Sequence, residues 1–335
     1  MMDSSVTIED RVEKIINGDG FAVQEFDSAY EMQSVAIRKN TCYIVCAVIF
    51  NEKNDVLMMQ EAKPSCYQQW YLPAGRMEEN ESIVEGMRRE VREESGLDCE
   101  PITLLLVQEN GPQWIRFTFL AQVSGGSMKT TAEADEESLQ AMWWDRVSSL
   151  PLRARDILPL IEAGLRYKEM TCFPPTLPVD TPSHVLCQRL IVTFTDTNRD
   201  LWLLLGTGKD LHLPVTVSGV GPSERSCYLA FAVRRLMKEC MPLSQVSVKT
   251  QGIFGLQHHG KDPGKTDGIC FNTLISVEYK LEAVAVVHTE APPALESEKF
   301  RWYKVDDPGL KAKVEQRLVS SRCKRTEGTV PSTQN

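Results

Sequence analysis

One short segment with three acidic side chains at helical spacing constrains this chain more than any other part of its sequence. Glu90, Glu93 and Glu94 stand at positions i, i+3 and i+4, which puts their carboxylates on one edge of a helix. Like charges at this spacing destabilise an isolated helix by about 0.2 to 0.5 kcal/mol per pair. Arg89 can offset part of the repulsion by pairing with Glu85 and Glu93, and a hard divalent cation such as magnesium would offset more. The alternative is a solvated acidic helix face.

The segment that contains these acids also resembles a known family signature, the Nudix box. The pattern of that box is G-x5-E-x7-R-E-U-x-E-E-x-G-U, where U is a bulky aliphatic residue. Every fixed position is met, by Gly75, Glu81, Arg89, Glu90, Val91, Glu93, Glu94, Gly96 and Leu97. The resemblance implies a hydrolase that uses magnesium, with manganese as a substitute, and cleaves a nucleoside diphosphate linked to a further group.

The same resemblance implies a role for each residue of the box. Glu93 and Glu94 are the principal metal ligands, Glu90 is a ligand or general base, and Gly75 is a ligand through its carbonyl. The implied catalytic residues are Glu90, Glu93, Glu94 and Arg89, and the implied structural residues are Glu81 and Gly96. None of the five histidines lies near the box, so a histidine-activated nucleophile in this half is excluded.

A further carboxylate ligand is expected from an acidic loop, because many enzymes of this family take one from the loop before the late tryptophan-bearing strand. Asp135, Glu136 and Glu137 occupy that place, and Glu136 is our choice among them. The alternative for each of the three is a solvated charge run.

Composition excludes several classes of function. The chain has 335 residues, enough for two domains, and a net charge of -9 with acidic and basic residues interspersed, which argues against a nucleic-acid-binding surface. No apolar run approaches the roughly 20 residues of a membrane helix, and no signal peptide is evident. The ten cysteines form no C-x-x-C pair and are expected to be reduced core residues. We therefore expect a cytoplasmic protein that acts on a small nucleotide, without nucleic acid or membrane as a partner.

The pattern of elements predicts an α/β chain with a Nudix sandwich, in which a mixed sheet is flanked by helices, and a second domain. Residues 1–37 are expected to be an N-terminal appendage with a short helix, and residues 38–168 the catalytic domain. A proline-rich linker at 169–185 is expected to act as a spacer. Residues 186–318 form the second domain, and residues 319–335 a disordered tail.

The second domain is predicted to be a degenerate copy of the first. In the aligned helix, Leu236 stands opposite Glu90, Glu239 opposite Glu93, and Cys240 opposite Glu94, so two of three acids are lost. Substrate shaping, formation of a homodimer or partner binding would remain as its role. The alternative is an unrelated α/β appendage. The paired histidines in the segment QHHG, at 258–259, are expected in a solvated loop.

Substrate choice rests mainly on resemblance. The segments RKNTCYIV, EAKPSCYQQWYLPAGRME and EADEESLQAMWW are similar to those of a MutT homologue group that converts oxidised purine nucleoside diphosphates (8-oxo-dGDP, 8-oxo-GDP and oxidised dADP) to monophosphates. The candidate substrate-binding residues are Lys63 and Arg76 for the phosphates, Trp143 for stacking on the base, and Asp156 for its edge. Trp143 has a core position as its alternative, and Asp156 a place at a helix N-terminus.

Two other functions stay open at this point. Pro112, downstream of the box, resembles a proline that marks many ADP-ribose hydrolases, so an ADP-ribose or nucleotide-sugar pyrophosphatase is the second enzyme hypothesis. A non-catalytic nucleotide-binding module is the hypothesis from another class. The intact acids of the box argue against that module.

Overall fold

The computed structural model describes residues 6–29, 32–110, 113–169, 174–219, 229–280 and 291–323. The helices in these ranges are α1 (Ile8–Ile16), α2 (Ile83–Ser95), α3 (Leu158–Glu169), α4 (Leu229–Cys240) and α5 (Pro308–Cys323). The strands are β1 (Cys42–Ile49), β2 (Val56–Glu61), β3 (Trp70–Tyr71), β4 (Ala74–Arg76), β5 (Leu97–Glu109), β6 (Trp114–Gly126), β7 (Ser138–Trp144), β8 (Leu186–Thr195), β9 (Leu201–Gly206), β10 (Val215–Ser218), β11 (Val246–Gln257), β12 (Ile269–Tyr279) and β13 (Phe300–Lys304).

The first half contains two sheets that are flanked by helices. One sheet has the order β4-β1-β6-β5, with β1 and β6 parallel and the outer pairs antiparallel, and the other has the order β3-β2-β7. Side chains alternate along β1, so Tyr43 and Val45 face the cluster that contains Met87 and Val91 of α2. The mixed sheet with flanking helices confirms the fold class that the sequence predicts.

Local signals in the sequence fix both ends of α2. Ser82 caps the first turn, because its hydroxyl accepts a hydrogen bond from the Glu85 amide, and the Glu85 carboxylate accepts one from the Ser82 amide. Gly96 ends the helix with a left-handed conformation, φ 75°, and a Cβ there would lie 2.3 Å from the Ser127 carbonyl oxygen. The acidic residues are thus held on a helix of defined start and end.

The second half repeats the strand pairing of the first. Its strands β10, β8, β12 and β11 pair in the same order as β4, β1, β6 and β5, again with a parallel central pair and antiparallel outer pairs. Strands β9 and β13 pair antiparallel, as β2 and β7 do. This correspondence supports a degenerate repeat over an unrelated appendage. In this half β9 also pairs with β8, which joins the strands into one six-stranded sheet.

The N-terminal segment is packed on the second half, although it directly precedes the first half in the sequence. Thr7 caps α1 as expected, and Val12 and Ile15 are buried in a cluster with Leu310 of α5. Farther along, the amide of Asp27 donates to the Val215 carbonyl at 2.8 Å. The segment that the sequence suggests is an appendage is therefore integrated in the C-terminal half.

The proline-rich segment between the halves is bonded to both of them. The amide of Leu104 donates to the Thr176 carbonyl at 2.8 Å, and the amide of Val179 donates to the Leu256 carbonyl at 2.9 Å. The described part of this segment, residues 174–185, is therefore docked on both halves, which a simple spacer would not be. The disorder predicted from residue 319 is wrong for residues 319–323, which continue α5. Residues 324–335 lie outside the described part of the chain.

One apolar cluster crosses the boundary between the halves. It joins Phe117 of β6 to Leu186, Leu256 and Phe271, and the rings of Phe117 and Phe271 stack with centroids 6.4 Å apart. Buried apolar surface is the dominant favourable contribution to folding, so this cluster couples the stability of the two halves. None of the helices in the described ranges is long and apolar enough to cross a membrane.

Candidate active site

The three acids of the box lie on one edge of α2, as predicted, but they differ in exposure. Glu94 is 1% exposed, and its Oε2 accepts a hydrogen bond from the Ala74 amide at 2.8 Å. Glu90 is 7% exposed and lies on the backbone of Gly75, where a Cβ would be only 2.1 Å from the Glu90 Oε2. The Glu93 side chain is 42% exposed. Gly75 is thus required for the close approach of a carboxylate.

The guanidinium of Arg89 connects the residues of the box. It donates to both carboxylate oxygens of Glu81, at 2.8 and 2.9 Å, and to Glu90 at 2.8 Å and Glu93 at 3.0 Å. A further bond reaches the Arg76 carbonyl at 3.0 Å. The hydrogen bonds to Glu81, and next the charge of Glu90, raise the pKa of Arg89 above its ordinary value. Arg89 therefore fixes two of the acids relative to the loop that precedes the helix.

The expected pair between Arg89 and Glu85 is wrong. Glu85 forms an ion pair with Lys261, a residue of the second half, and also accepts the bond from the Ser82 amide. These interactions, led by the bond from Lys261, lower the pKa of Glu85 to about 2. A long-range partner has replaced the local one.

The chemistry of the buried acids fits a hard divalent cation. Burial raises the pKa of Glu94 well above its ordinary value, and the negative charges of Glu90 and Glu61 raise it further. Burial likewise raises the pKa of Glu90, against the lowering effect of Arg89. The Oε2 of buried Glu61 has no hydrogen-bond partner within the described ranges. Such cations take oxygen ligands, and all of these groups supply oxygen. No three acids among the described residues already converge as a ligand set.

Comparison with known proteins decides the family. A family model described as NUDIX domain matches residues 41–161. A Danio rerio protein named 8-oxo-dGDP phosphatase NUDT18 is 55% identical over 326 residues, which cover 95% of this chain and 97% of that protein. The human protein of the same name is 45% identical over 311 residues, which cover 92% and 94%.

This chain belongs to the Nudix hydrolase family. The match to the relatives extends over both halves, whereas the match to the family model covers only the first.

The three acids of the acidic loop in this Nudix hydrolase have different surroundings from one another. Asp135 stabilises the loop itself, because its carboxylate accepts bonds from Lys129 at 2.7 Å and from the Ser138 amide at 3.1 Å. Glu137 lies 4.0 Å from the amine of Lys63. Its charge is also one of the causes that raise the pKa of Glu90. Glu136, the residue chosen from the sequence, is exposed.

Lys63 stands between the acidic loop and the acidic helix edge. Its side chain is half exposed, and its positive charge lowers the pKa of Glu94 against the larger effect of burial. The structure therefore places Lys63 beside the acidic loop, and its contact with the phosphates stays a prediction.

A polar network that includes Asp156 lies in the same half of the molecule. Arg116 is buried, and its Nη1 donates to the Tyr71 hydroxyl and to the Asp156 Oδ2, each at 2.8 Å. Its Nε donates to the Gln108 Oε1 at 2.9 Å, and the Tyr71 hydroxyl donates to Asp156 at 2.9 Å. The Asp156 side chain is 43% exposed and lies in a single 3-10 turn that leads into α3. Its place before α3 matches the alternative named from the sequence, and its contact with a base stays a prediction.

Sequence reasoning missed Arg116, Tyr71 and Glu61. An arginine inside the apolar strand segment WIRFTF is the signal for Arg116, since a buried guanidinium needs acceptors. The corresponding signal for Glu61 is an acid at the end of the apolar strand VLMMQE. Arg153 joins these residues, because it donates to Glu61 at 2.6 Å and lies over the Tyr71 ring at 4.9 Å.

The remaining candidate residues lie apart from this network. Trp143 packs against the apolar cluster that contains Leu57 and Met87, which is the core position named as its alternative. The Arg76 side chain lines an open groove of about 660 Å³ that is also lined by Arg38 and Trp114. Pro112 lies outside the described residues.

Proposed function

We propose that this Nudix hydrolase converts oxidised purine nucleoside diphosphates (8-oxo-dGDP, 8-oxo-GDP and oxidised dADP) to monophosphates and so keeps damaged bases out of nucleic-acid precursors. One observation carries the proposal: the acid cluster and the Arg116–Asp156 pair lie beside the same strand, β1. Ile44 of β1 is in register with Arg116 of β6, and Cys46 is in register with Ala74 of β4, whose amide binds Glu94. The groups that we propose for the phosphates and for the base are therefore near neighbours. The names of the two relatives agree with this substrate.

The acids of α2 would hold the metal in this scheme. A divalent metal, with magnesium as our proposal and manganese as a substitute, neutralises phosphate charge and lowers the pKa of a bound water. The proposed ligands are the carboxylates of Glu90, Glu93 and Glu94, the carbonyl of Gly75 and a loop carboxylate. Glu136 stays our sequence-based choice for the loop ligand, and Glu137, which lies 4.0 Å from the amine of Lys63, is the alternative.

The other residues of the site position these ligands and the substrate. Arg89 holds Glu90 and Glu93 through its guanidinium, and Glu81 holds Arg89. Lys63, beside Glu137 at the rim of the site, is the residue that we propose contacts the phosphates. Arg76, on the adjacent groove, is a second phosphate-binding candidate. Positioning and charge neutralisation supply most of the rate enhancement in phosphoryl transfer.

The Arg116–Asp156 pair supplies a reason to prefer an oxidised purine. Oxidation at C8 replaces the N7 acceptor of guanine with an N7–H donor. A carboxylate accepts a hydrogen bond from this donor, whereas it repels the lone pair of an unoxidised N7. The bond from Arg116 orients the Asp156 carboxylate for that contact. A site that forms a hydrogen bond with the substrate can reject an analogue that lacks the bonding group more strongly than an apolar pocket can.

The test is a hydrolysis panel with 8-oxo-dGDP, 8-oxo-dGTP, dGDP and ADP-ribose, each with magnesium. We expect the highest kcat/KM with 8-oxo-dGDP, and 8-oxo-dGMP and phosphate as products. A higher kcat/KM with ADP-ribose would instead support the ADP-ribose pyrophosphatase hypothesis. Binding of nucleotides without turnover of any of them would support the non-catalytic module. The free thiols of the described cysteines fit the reducing cytoplasm, which we propose as the compartment.

A further inference from the structure

The loop between β11 and β12, residues 258–268, reaches from the second half to the Nudix box of the first. Gly260 has a left-handed conformation, φ 72°, and a Cβ placed on it would lie 2.3 Å from the carbonyl oxygen of Glu81. Its neighbour Lys261 forms the ion pair with Glu85 in the first turn of α2. His258, which is 2% exposed, packs edge-on against the Tyr43 ring. The loop thus covers the N-terminal end of the acid-bearing helix.

This loop is held in one conformation by its own bonds and by a bond to the segment that directly precedes β1. The amide of Gly260 donates to the Thr266 carbonyl at 3.0 Å, and the amide of Gly264 donates to the Asp267 carboxylate at 2.8 Å. The same carboxylate accepts a bond from the Ile37 amide at 3.1 Å, just before β1. Asp267 is buried. Because these bonds fix the loop at its base and its tip, the loop can hold the residues that it contacts in place.

The residue that Gly260 contacts is directly connected to the acids. The side chain of Glu81 accepts a bond from the Glu78 amide at 2.6 Å and two bonds from Arg89. Arg89 in turn binds Glu90 and Glu93. A displacement of the Glu81 backbone would therefore move the guanidinium that orients two of the three box carboxylates.

We propose that the degenerate half positions the metal-binding carboxylates of the catalytic half, with Gly260 and Lys261 as positioning residues that fix the Glu81 backbone and the first turn of α2. The proposal rests on the proposed function in one respect, namely that the box binds a metal. It gives the second half a role in the reaction although that half has lost two of the three acids. Partners that orient metal ligands without touching the metal commonly change metal affinity by about 10- to 100-fold.

The test compares two glycine variants of the same loop in the full-length chain. Gly260→Ala and Gly264→Ala both place a Cβ on a residue with positive φ, 72° and 75°, so both carry similar backbone strain. Only Gly260→Ala meets the Glu81 carbonyl, since nothing lies within 4 Å of a Cβ on Gly264. The readouts are Mn²⁺ affinity from isothermal titration calorimetry, hydrogen exchange of the amides at 81–85, and kcat.

We expect both variants to lower Tm, and Gly260→Ala to lower it more because its Cβ also meets the Glu81 carbonyl and the His258 ring. Only Gly260→Ala should weaken Mn²⁺ binding, by roughly 10-fold or more. Hydrogen exchange at 81–85 should rise in that variant alone. Equal Mn²⁺ affinity in the two variants would overturn the proposal. Because Mn²⁺ binding needs no substrate, a difference between the variants would support positioning even if the hydrolysis panel failed.

A second comparison keeps the proposal testable if Gly260→Ala does not fold. Lys261→Met removes the partner of Glu85, and Lys265→Met is its control, because Lys265 is exposed and pairs with Asp262 inside the same loop. We expect Lys261→Met to weaken Mn²⁺ binding and Lys265→Met to leave it unchanged. In a Glu85→Gln background, which retains the helix-capping bond, Lys261→Met should cause no further loss. A full additional loss in that background would contradict a role through Glu85.

Discussion

Individual residues of the site act mainly by holding one another's side chains in position. Arg89 spans five acceptors on four residues, and Gly75 leaves the space in which Glu90 lies. Bonds between charged groups are roughly twice as strong as neutral ones, so a cluster of this kind resists rearrangement. Arg116 has the same function for Asp156. A change at one of these residues should therefore alter what its partners do, without unfolding the chain.

Asp156→Asn should reduce the preference for the oxidised base. The substitution removes the negative charge that accepts from an N7–H, and it leaves the buried Arg116 with a weaker acceptor. We expect the ratio of kcat/KM for 8-oxo-dGDP to kcat/KM for dGDP to fall by roughly 10-fold or more. Glu162→Gln is the control, because Glu162 is an exposed acid of α3 that pairs within its helix. An unchanged ratio in Asp156→Asn would exclude this carboxylate from base selection.

At the level of elements, the β11–β12 loop differs most from what its sequence suggests. The expectation of a solvated loop is wrong for His258, because the ring is buried and neither ring nitrogen has a hydrogen-bond partner in the part of the chain that the structure describes. Burial, and next the charge of His259, lower the pKa of His258 from 6.5 to about 4. The histidine is therefore neutral in the folded protein at physiological pH.

His258 should make the contact between the halves sensitive to acid. Its pKa is lower in the folded chain than in the unfolded chain, so between about pH 6.5 and 4 the unfolded chain binds a proton that the folded chain does not. The stability associated with His258 is therefore complete above pH 6.5 and declines below it, by roughly 1 kcal/mol per pH unit.

Urea unfolding of the wild type and of His258→Leu, from pH 7.5 to 4.5, measures this contribution. We expect the stability of the wild type relative to the variant to fall as the pH is lowered. His259→Gln is the control, because His259 is more exposed and pairs with Asp180. A constant difference between wild type and His258→Leu over this pH range would show that the buried ring does not titrate as described.

Elements with strong local signals could be predicted from the sequence. The capping box and the terminal glycine of α2 are local, and so is the Thr7 cap of α1. The acidic edge of α2 follows from helical spacing alone. In contrast, the pairs Glu85–Lys261 and Arg116–Asp156 join residues 176 and 40 positions apart. No local pattern specifies which of many charged residues will meet, since tertiary packing decides it.

At the level of the whole molecule, the two halves share a core but differ in their chemistry. Phe117 and Phe271 stack within the apolar cluster that crosses the boundary, and the linker is bonded to both halves. The helix α4 occupies the place of α2 in the repeated strand pairing, with Leu236 and Cys240 buried where α2 carries acids. The repeat could be predicted from matched sequence segments. The integration of the N-terminal segment could not, because its contacts lie some 200 residues away.

The most direct measurement compares turnover of 8-oxo-dGDP with magnesium in two variants. Each variant lacks the acid at the one aligned position where both halves have a glutamate. Glu93 lies on the acidic edge of α2, whereas its counterpart Glu239 accepts a bond from the Ser28 hydroxyl at 2.9 Å. We predict that Glu93→Gln reduces release of 8-oxo-dGMP and phosphate by roughly 100-fold or more while the fold is retained. Glu239→Gln should retain near wild-type turnover. Near-normal turnover in Glu93→Gln, or loss of turnover in a folded Glu239→Gln, would contradict the assignment of catalysis to the acidic edge of α2.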